Sequence, residues 1–166
     1  MIYTLPRTIT RDSTLRIFQY KLINNVLYLN KSLFRFGIVT DSLCSFCKVF
    51  DESPLHLFHD CTFTQTLWNQ LRNYLCENIV IPPLTSQSAI FGFTDTKIDN
   101  YLILNHLLLI FKFYIYKARA SNYLNFYCLK SNITRIKNIE EAISKIDPGS
   151  YRKFYSKWKK IIEKFD

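Results

Sequence analysis

Residues 41–61, DSLCSFCKVFDESPLHLFHDC, set three cysteines and two histidines in a stretch with the irregular polar character of a loop. The spacing is Cys44-x2-Cys47-x8-His56-x4-Cys61. A Cys-x2-Cys pair brings two thiolates to one ion from a tight turn, and His-x4-Cys does the same from roughly one helical turn. Three thiolates and one imidazole fill the four tetrahedral positions of a zinc ion and leave none open for a reacting water. His59 competes with His56, but a His-x1-Cys spacing strains a tetrahedral chelate, so His56 is the preferred ligand. The alternative, three ordinary buried thiols, is weaker, because two convergent pairs rarely meet by accident.

Helical periodicity surrounds this loop. From Asp12 to about Phe36, the residues Leu15, Phe18, Leu22, Val26, Leu29 and Leu33 recur at steps of three and four, with Gly37 as a stop. A second helix is expected from about Thr64 to Glu77, facing Leu67, Trp68, Leu71, Tyr74 and Leu75 inward. Pro82-Pro83 ends that region, and residues 84–97 read as connector. The most apolar stretch follows, Ile98 to about Ser121, but Asn105, His106 and Lys112 interrupt it. Its apolar runs are too short for a membrane span, which needs about 20 apolar residues, so a buried core helix is expected. Two further helices fit the tail, split at Pro148-Gly149. One carries the stripe Ile133, Ile136, Ile139, Ile143 and Ile146. The other carries Tyr151, Phe154, Tyr155, Trp158, Ile161, Ile162 and Phe165. The expected fold is therefore mainly α: about five helices, a small Cys-Cys-His-Cys zinc loop between the first two, and little or no sheet. By region this gives a zinc-binding part over 1–80, a connector over 81–97, and an apolar helix with basic helices over 98–166, all packed as one unit.

Composition narrows the function. The chain of 166 residues is 48% hydrophobic with 3 Gly and 5 Pro, which suits long helices and excludes a disordered chain. Its formal charge of +9 calls for a polyanionic partner rather than mere solubility. Met1 to Arg16 shows no secretory signal, so the expected setting is intracellular, cytoplasmic or nuclear, where clustered cysteines are metal ligands more often than disulfides. Cys76 and Cys128 stand apart and read as small buried hydrophobes. From Lys130 onward ten basic residues face five acidic ones.

The runs RIFQYKLINNVLYLNKSLFRFGIVTDSLCSFC and DESPLHLFHDCTFTQTLWNQL resemble the segment just after the polymerase in LINE-type (non-LTR) retrotransposon reverse transcriptases. The matching positions are Cys44, Cys47, Glu52, His56, Leu57, Phe58, Cys61 and Trp68, and the resemblance spans roughly residues 11–75. It implies a zinc-bearing, non-catalytic appendage that contacts RNA or DNA, detached from or truncated out of a larger enzyme. The paired aspartates of a polymerase are not here: no Asp-Asp occurs, nor any endonuclease constellation of His with several acids. Candidate phosphate contacts are Arg11, Arg16 and Lys21 on the first helix and Arg152, Lys153, Lys157, Lys160 and Lys164 on the last. The aromatic rings of that last helix, Trp158 included, are expected to pack inward. The competing reading is a zinc-stabilised interaction module that docks on a polymerase body without touching nucleic acid. No membrane partner is expected.

Overall fold

The computed structural model describes residues 3–165. It is helical, with eight α-helices among the described residues: α1 Leu5–Ile9, α2 Ser13–Ile23, α3 Asn30–Arg35, α4 Thr62–Leu75, α5 Ser86–Phe91, α6 Tyr101–Ala118, α7 Phe126–Ser144 and α8 Pro148–Trp158. A π-helical turn spans His56–Asp60, and short 3-10 turns follow α6 and α8 at Arg119–Ser121 and Ile162–Phe165. The one β pairing among the described residues is the isolated antiparallel bridge between Leu43 and Asp51.

The single helix expected over 12–36 is two helices, and the reason is local. Asn25 takes a left-handed conformation (φ 56°). Around it the Val26 N–H donates to the Lys21 carbonyl and the Asn25 N–H to the Leu22 carbonyl, at 2.9 and 3.1 Å. This is a Schellman stop, with asparagine in the place glycine usually takes. The same pair of bonds recurs at Gly37 (φ 69°), where Ile38 reaches Leu33 and Gly37 reaches Phe34, so Gly37 does end α3. The zinc loop thus lies between α3 and α4. Leu15, Phe18 and Leu22 are buried as expected, and Leu29 is buried from an extended segment, whereas Val26 is 52% exposed.

The expected connector also contains a helix, α5. Thr85 and Ser88 cap it reciprocally: the Ser88 N–H donates to Thr85 Oγ1 (3.1 Å) and the Thr85 N–H to Ser88 Oγ (2.9 Å). Gly92 ends it at φ 88°, and a side chain there would collide with Asn105 Oδ1, 2.6 Å from an ideal Cβ.

Helix α6 is the axis of the fold and packs against α1, α2, α7 and α8. Every residue from Ile103 to Lys112 is buried, which is why its sequence is apolar nearly all round. No helix among the described residues is long and apolar enough to cross a membrane. The three polar interruptions are each accommodated inside. Asn105 pairs with both backbone groups of Phe93, and Lys112 donates to Gln19 Oε1 at 2.9 Å and to the Ile90 carbonyl at 3.3 Å. The His106 Nδ1 lies 3.2 Å from the Lys157 ammonium.

Lys112 leads to a pH prediction. Burial, without a nearby carboxylate among the described residues, pushes its pKa from 10.5 down to about 7. Between those values the unfolded chain binds a proton that the folded chain does not, so folding stability rises with pH from about 7 to about 10. Lys112→Met removes this titration. The stability difference, wild type minus Lys112→Met, should climb by up to about 1.4 kcal/mol per pH unit across that window. Urea melts of both proteins at several pH values check it, and a flat difference would refute the burial of an ionisable amine.

In the tail, Asp147 caps α8 by accepting from the Ser150 N–H at 2.7 Å, and Pro148 occupies the first turn, so the split falls where the sequence placed it. Helix α7 starts at Phe126 because the Asn125 side chain caps it, accepting from the Tyr127 and Cys128 N–H groups. Of the expected stripe, Ile133 and Ile136 are inside, whereas Ile139, Ile143 and, past the end of the helix, Ile146 are exposed. Phe154, Trp158, Ile161 and Phe165 close the core from α8 and the last turn. Cys76 and Cys128 are exposed, not buried, since the end of α4 and the first turn of α7 present them outward.

Candidate metal centre and its buried clamp

Two local devices assemble the centre. The first is a tight turn over Cys44–Lys48, closed by the Lys48 N–H on the Cys44 carbonyl (3.1 Å) and relieved by a left-handed Lys48 (φ 56°). The Cys44 N–H donates to the Phe50 carbonyl and the Glu52 N–H to the Ser42 carbonyl, each at 2.8 Å, so the knuckle sits at the head of a miniature hairpin. The second is the π-helical turn, in which the Cys61 N–H donates to the His56 carbonyl at 2.8 Å. In an α-helix, residues five apart point about 140° away from each other. The wider π turn brings them nearer the same side, a use for which such turns are known. The Thr64 hydroxyl, fully buried, donates to the Leu57 carbonyl at 2.7 Å and fastens this turn to α4.

These devices bring together Cys44, Cys47, His56 and Cys61, whose ligand atoms all lie within 4.8 Å of one another. Cys44 Sγ and Cys61 Sγ are 3.9 Å apart, and Cys47 Sγ and His56 Nε2 are 3.3 Å apart. A tetrahedron with zinc–sulfur bonds of about 2.3 Å and zinc–nitrogen bonds of about 2.0 Å has edges of about 3.8 and about 3.5 Å. The donor set and its size therefore fit zinc. Cys44 and Cys61 are buried and His56 nearly so, as in a closed structural site. His59 is not in the cluster: its Nδ1 lies 2.6 Å from the Asp60 carboxylate. The hydrogen bond between Cys44 and Cys61 brings Cys61 down to about 7 and holds Cys44 well above the usual thiol range. Zinc binds thiolates rather than thiols, so loading would release protons and be opposed by acid.

Behind the knuckle lies a charged clamp. The Glu52 carboxylate is fully buried. Its Oε2 accepts from the Ser45 N–H (2.7 Å), inside the Cys44–Cys47 turn, and its Oε1 from the Asn30 N–H (3.0 Å) at the start of α3. Arg119, just past the end of α6, completes the shell with Nη2 2.6 Å from Glu52 Oε1. The same guanidinium donates to the Tyr28 carbonyl (2.9 Å) and Asn30 Oδ1 (3.2 Å), and Asn30 Nδ2 donates to the Leu43 carbonyl (2.7 Å). One ion pair thus ties the metal turn, the entry to α3 and the end of α6 together. Glu52 was visible in the sequence; no spacing rule points from it to Arg119.

The expected phosphate contacts are dispersed. Lys21, Arg152, Lys153 and Lys160 are exposed. Arg16 is turned onto backbone, its Nε donating to the Thr10 carbonyl at 2.8 Å. Arg11 donates to Ser150 Oγ at 3.2 Å from an exposed position. Lys157 faces inward: it donates to the Ile9 carbonyl (2.9 Å) and pairs with Glu140 (2.6 Å), because it lies on the side of α8 that meets α1 and α7. Lys164 bridges to Glu77 at 3.1 Å.

The geometry is that of a small helical module organised on a Cys3His zinc centre. Residues 11–68 match the model of a family described as zinc-binding in reverse transcriptase. No curated protein and no solved structure matches the chain. The family match ends within α4, so Arg119 and everything from α5 onward lie outside it.

Proposed function

We propose that the chain is the C-terminal zinc region of a LINE-type (non-LTR) retrotransposon reverse transcriptase. In this reading Cys44, Cys47, His56 and Cys61 hold one structural zinc, and the module binds RNA or DNA without catalysing a reaction on it. The carrying observation is a set of free cations outside the zinc centre. Lys21, Arg152, Lys153 and Lys160 are exposed and enter no ion pair among the described residues, on a chain of net charge +9. Packing of α6 against α1 and α2, and of α4 against α7, supports treating 1–80, 81–97 and 98–166 as one folded unit.

Lysine and arginine contacts to phosphate release counterions, so log affinity should fall with log salt by about 0.7 per contact on a single strand. Gel shifts of RNA and single-stranded DNA over a salt series read this directly. Binding to neither polymer at low salt would hand the case to the second reading, docking on a polymerase body. That reading has its own support in the apolar skin around the zinc loop, where Tyr28, Phe36, Ile38, Val49 and Phe50 are each more than half exposed. Docking of that kind depends little on salt.

A further inference from the structure

A cleft of about 410 Å³ lies between α1 and α8. Arg7 and Arg11 line it from the N-terminal side, Lys153 and Lys157 from α8, and Glu140 is the one carboxylate among its lining residues. That carboxylate is already committed. Its Oε2 accepts from Lys157 Nζ at 2.6 Å and Trp158 Nε1 at 3.0 Å, and its Oε1 from Thr10 Oγ1 at 3.2 Å. Asp147, which feels the charge of Lys153, is occupied in capping α8, and Asp12 beside Arg11 caps α2. Arg7, Arg11 and Lys153 therefore remain as exposed cations, with no ion pair among the described residues, over a cleft whose own carboxylate is neutralised. The remaining lining is apolar: Phe154 forms part of the wall, and Leu102 and Ile143 stay 40% and 43% exposed within it. Cations around a partly open apolar floor suit a ligand that is anionic along one edge and flat and apolar along the other.

We infer that this cleft is a nucleotide-binding subsite for a single nucleic-acid strand, with a backbone phosphate on Arg7, Arg11 and Lys153 and a base on the Leu102–Ile143 floor. Guanidinium groups pair with phosphate through directed hydrogen bonds, and an apolar floor accepts any base without reading its edges. The site rests on the nucleic-acid reading above and gives it a location. Lys157 acts behind it: paired to Glu140, it keeps the carboxylate from repelling the phosphate.

The test compares the full chain with Arg7→Ala/Arg11→Ala/Lys153→Ala and with a control that loses equal charge elsewhere, Lys97→Ala/Lys117→Ala/Arg135→Ala. All six side chains are exposed, so thermal melts should coincide. The probes are a fluorescent twelve-nucleotide oligouridylate and an abasic strand with the same phosphates, read by anisotropy. The cleft variant should bind oligouridylate at least about tenfold more weakly and flatten the salt slope by about 0.7, for the one phosphate those three cations neutralise. The control should change affinity less than about threefold, and the abasic strand should bind wild type more weakly than oligouridylate, as loss of a base contact requires. If wild type binds but the two variants lose affinity equally, or neither does, the cleft inference is overturned while the nucleic-acid reading stands. If wild type binds no strand at low salt, that reading itself falls, and the cleft with it. A glutamate-rich peptide of equal length that displaces the RNA at lower concentration would also overturn the inference, by making the cleft a peptide site.

Discussion

Cys47→Ser should leave the chain without tightly held zinc and cost it the ordered structure of residues 41–61, whereas His59→Ala should keep both. Cys47 Sγ sits 3.3 Å from His56 Nε2, and the four ligand atoms form one cluster, so removing a thiolate opens the coordination shell. Beyond the Glu52–Arg119 clamp the loop has little other support, because Phe50 and Val49 are exposed and its β pairing is a single bridge. Structural zinc in small sites has an apparent binding free energy on the order of 10 kcal/mol, which exceeds the total stability of many domains. The consequence should spread, since Leu57 and Phe58, fully buried in the shared core, are carried by the same π turn. Elemental analysis of purified protein should find one zinc per wild-type chain and substantially less in Cys47→Ser, with a large drop in melting temperature. Folded, zinc-free wild-type protein, or loss of metal from His59→Ala, would contradict the centre proposed here.

Arg119→Ala should destabilise the chain by about 3–5 kcal/mol, the usual result of leaving a buried charge without its partner. Glu52 would then keep only two backbone N–H groups, those of Asn30 and Ser45, inside a site that excludes water. Glu52→Gln should also be costly, because whichever way the amide is turned, its NH2 meets an N–H or the guanidinium where an acceptor is needed. The double variant should lose less than the sum of the two single ones, since each change removes the other's unpaired charge. Zinc affinity should fall in Arg119→Ala even though Arg119 ligates nothing, because Glu52 positions the Ser45 backbone between two thiolates. Denaturant melts and chelator competition measure both effects. A change within about 0.5 kcal/mol, typical of a surface pair, would mean that the pair is solvated and the clamp is not a clamp.

The zinc ligands were legible in the sequence because the geometry that gathers them is local. A Cys-x2-Cys turn and a His-x4-Cys turn carry their hydrogen bonds within five residues, as in Cys61 to His56. Gly37 and Pro148 likewise mark a helix end and a helix start through their own backbone requirements. The stop at Asn24-Asn25 was present in the sequence too, yet the apolar stripe ran past it: Leu29 is buried with or without a continuous helix, so periodicity alone did not register the break. Thr85 and Ser88 hid α5 because serine is not the usual acidic or amide partner of a capping box.

What the sequence by itself determined, then, is the metal chemistry, the helical class and several of the helix ends, each resting on bonds between near neighbours. Only the tertiary structure decided which charges are spent and which are free. Lys157 reads as one more exposed lysine until α8 is laid against α7, where Glu140, 17 residues earlier, receives it. Arg119 looks like any cation after an apolar helix until the zinc turn is folded onto it and Glu52 is buried beneath. Arg7 and Lys153 become neighbours across one cleft only because the first and last helices pack together on α6. Charge in a sequence is a count, whereas its availability depends on which side of a helix meets another. That is set by burial of apolar surface across the whole chain, which no short spacing encodes.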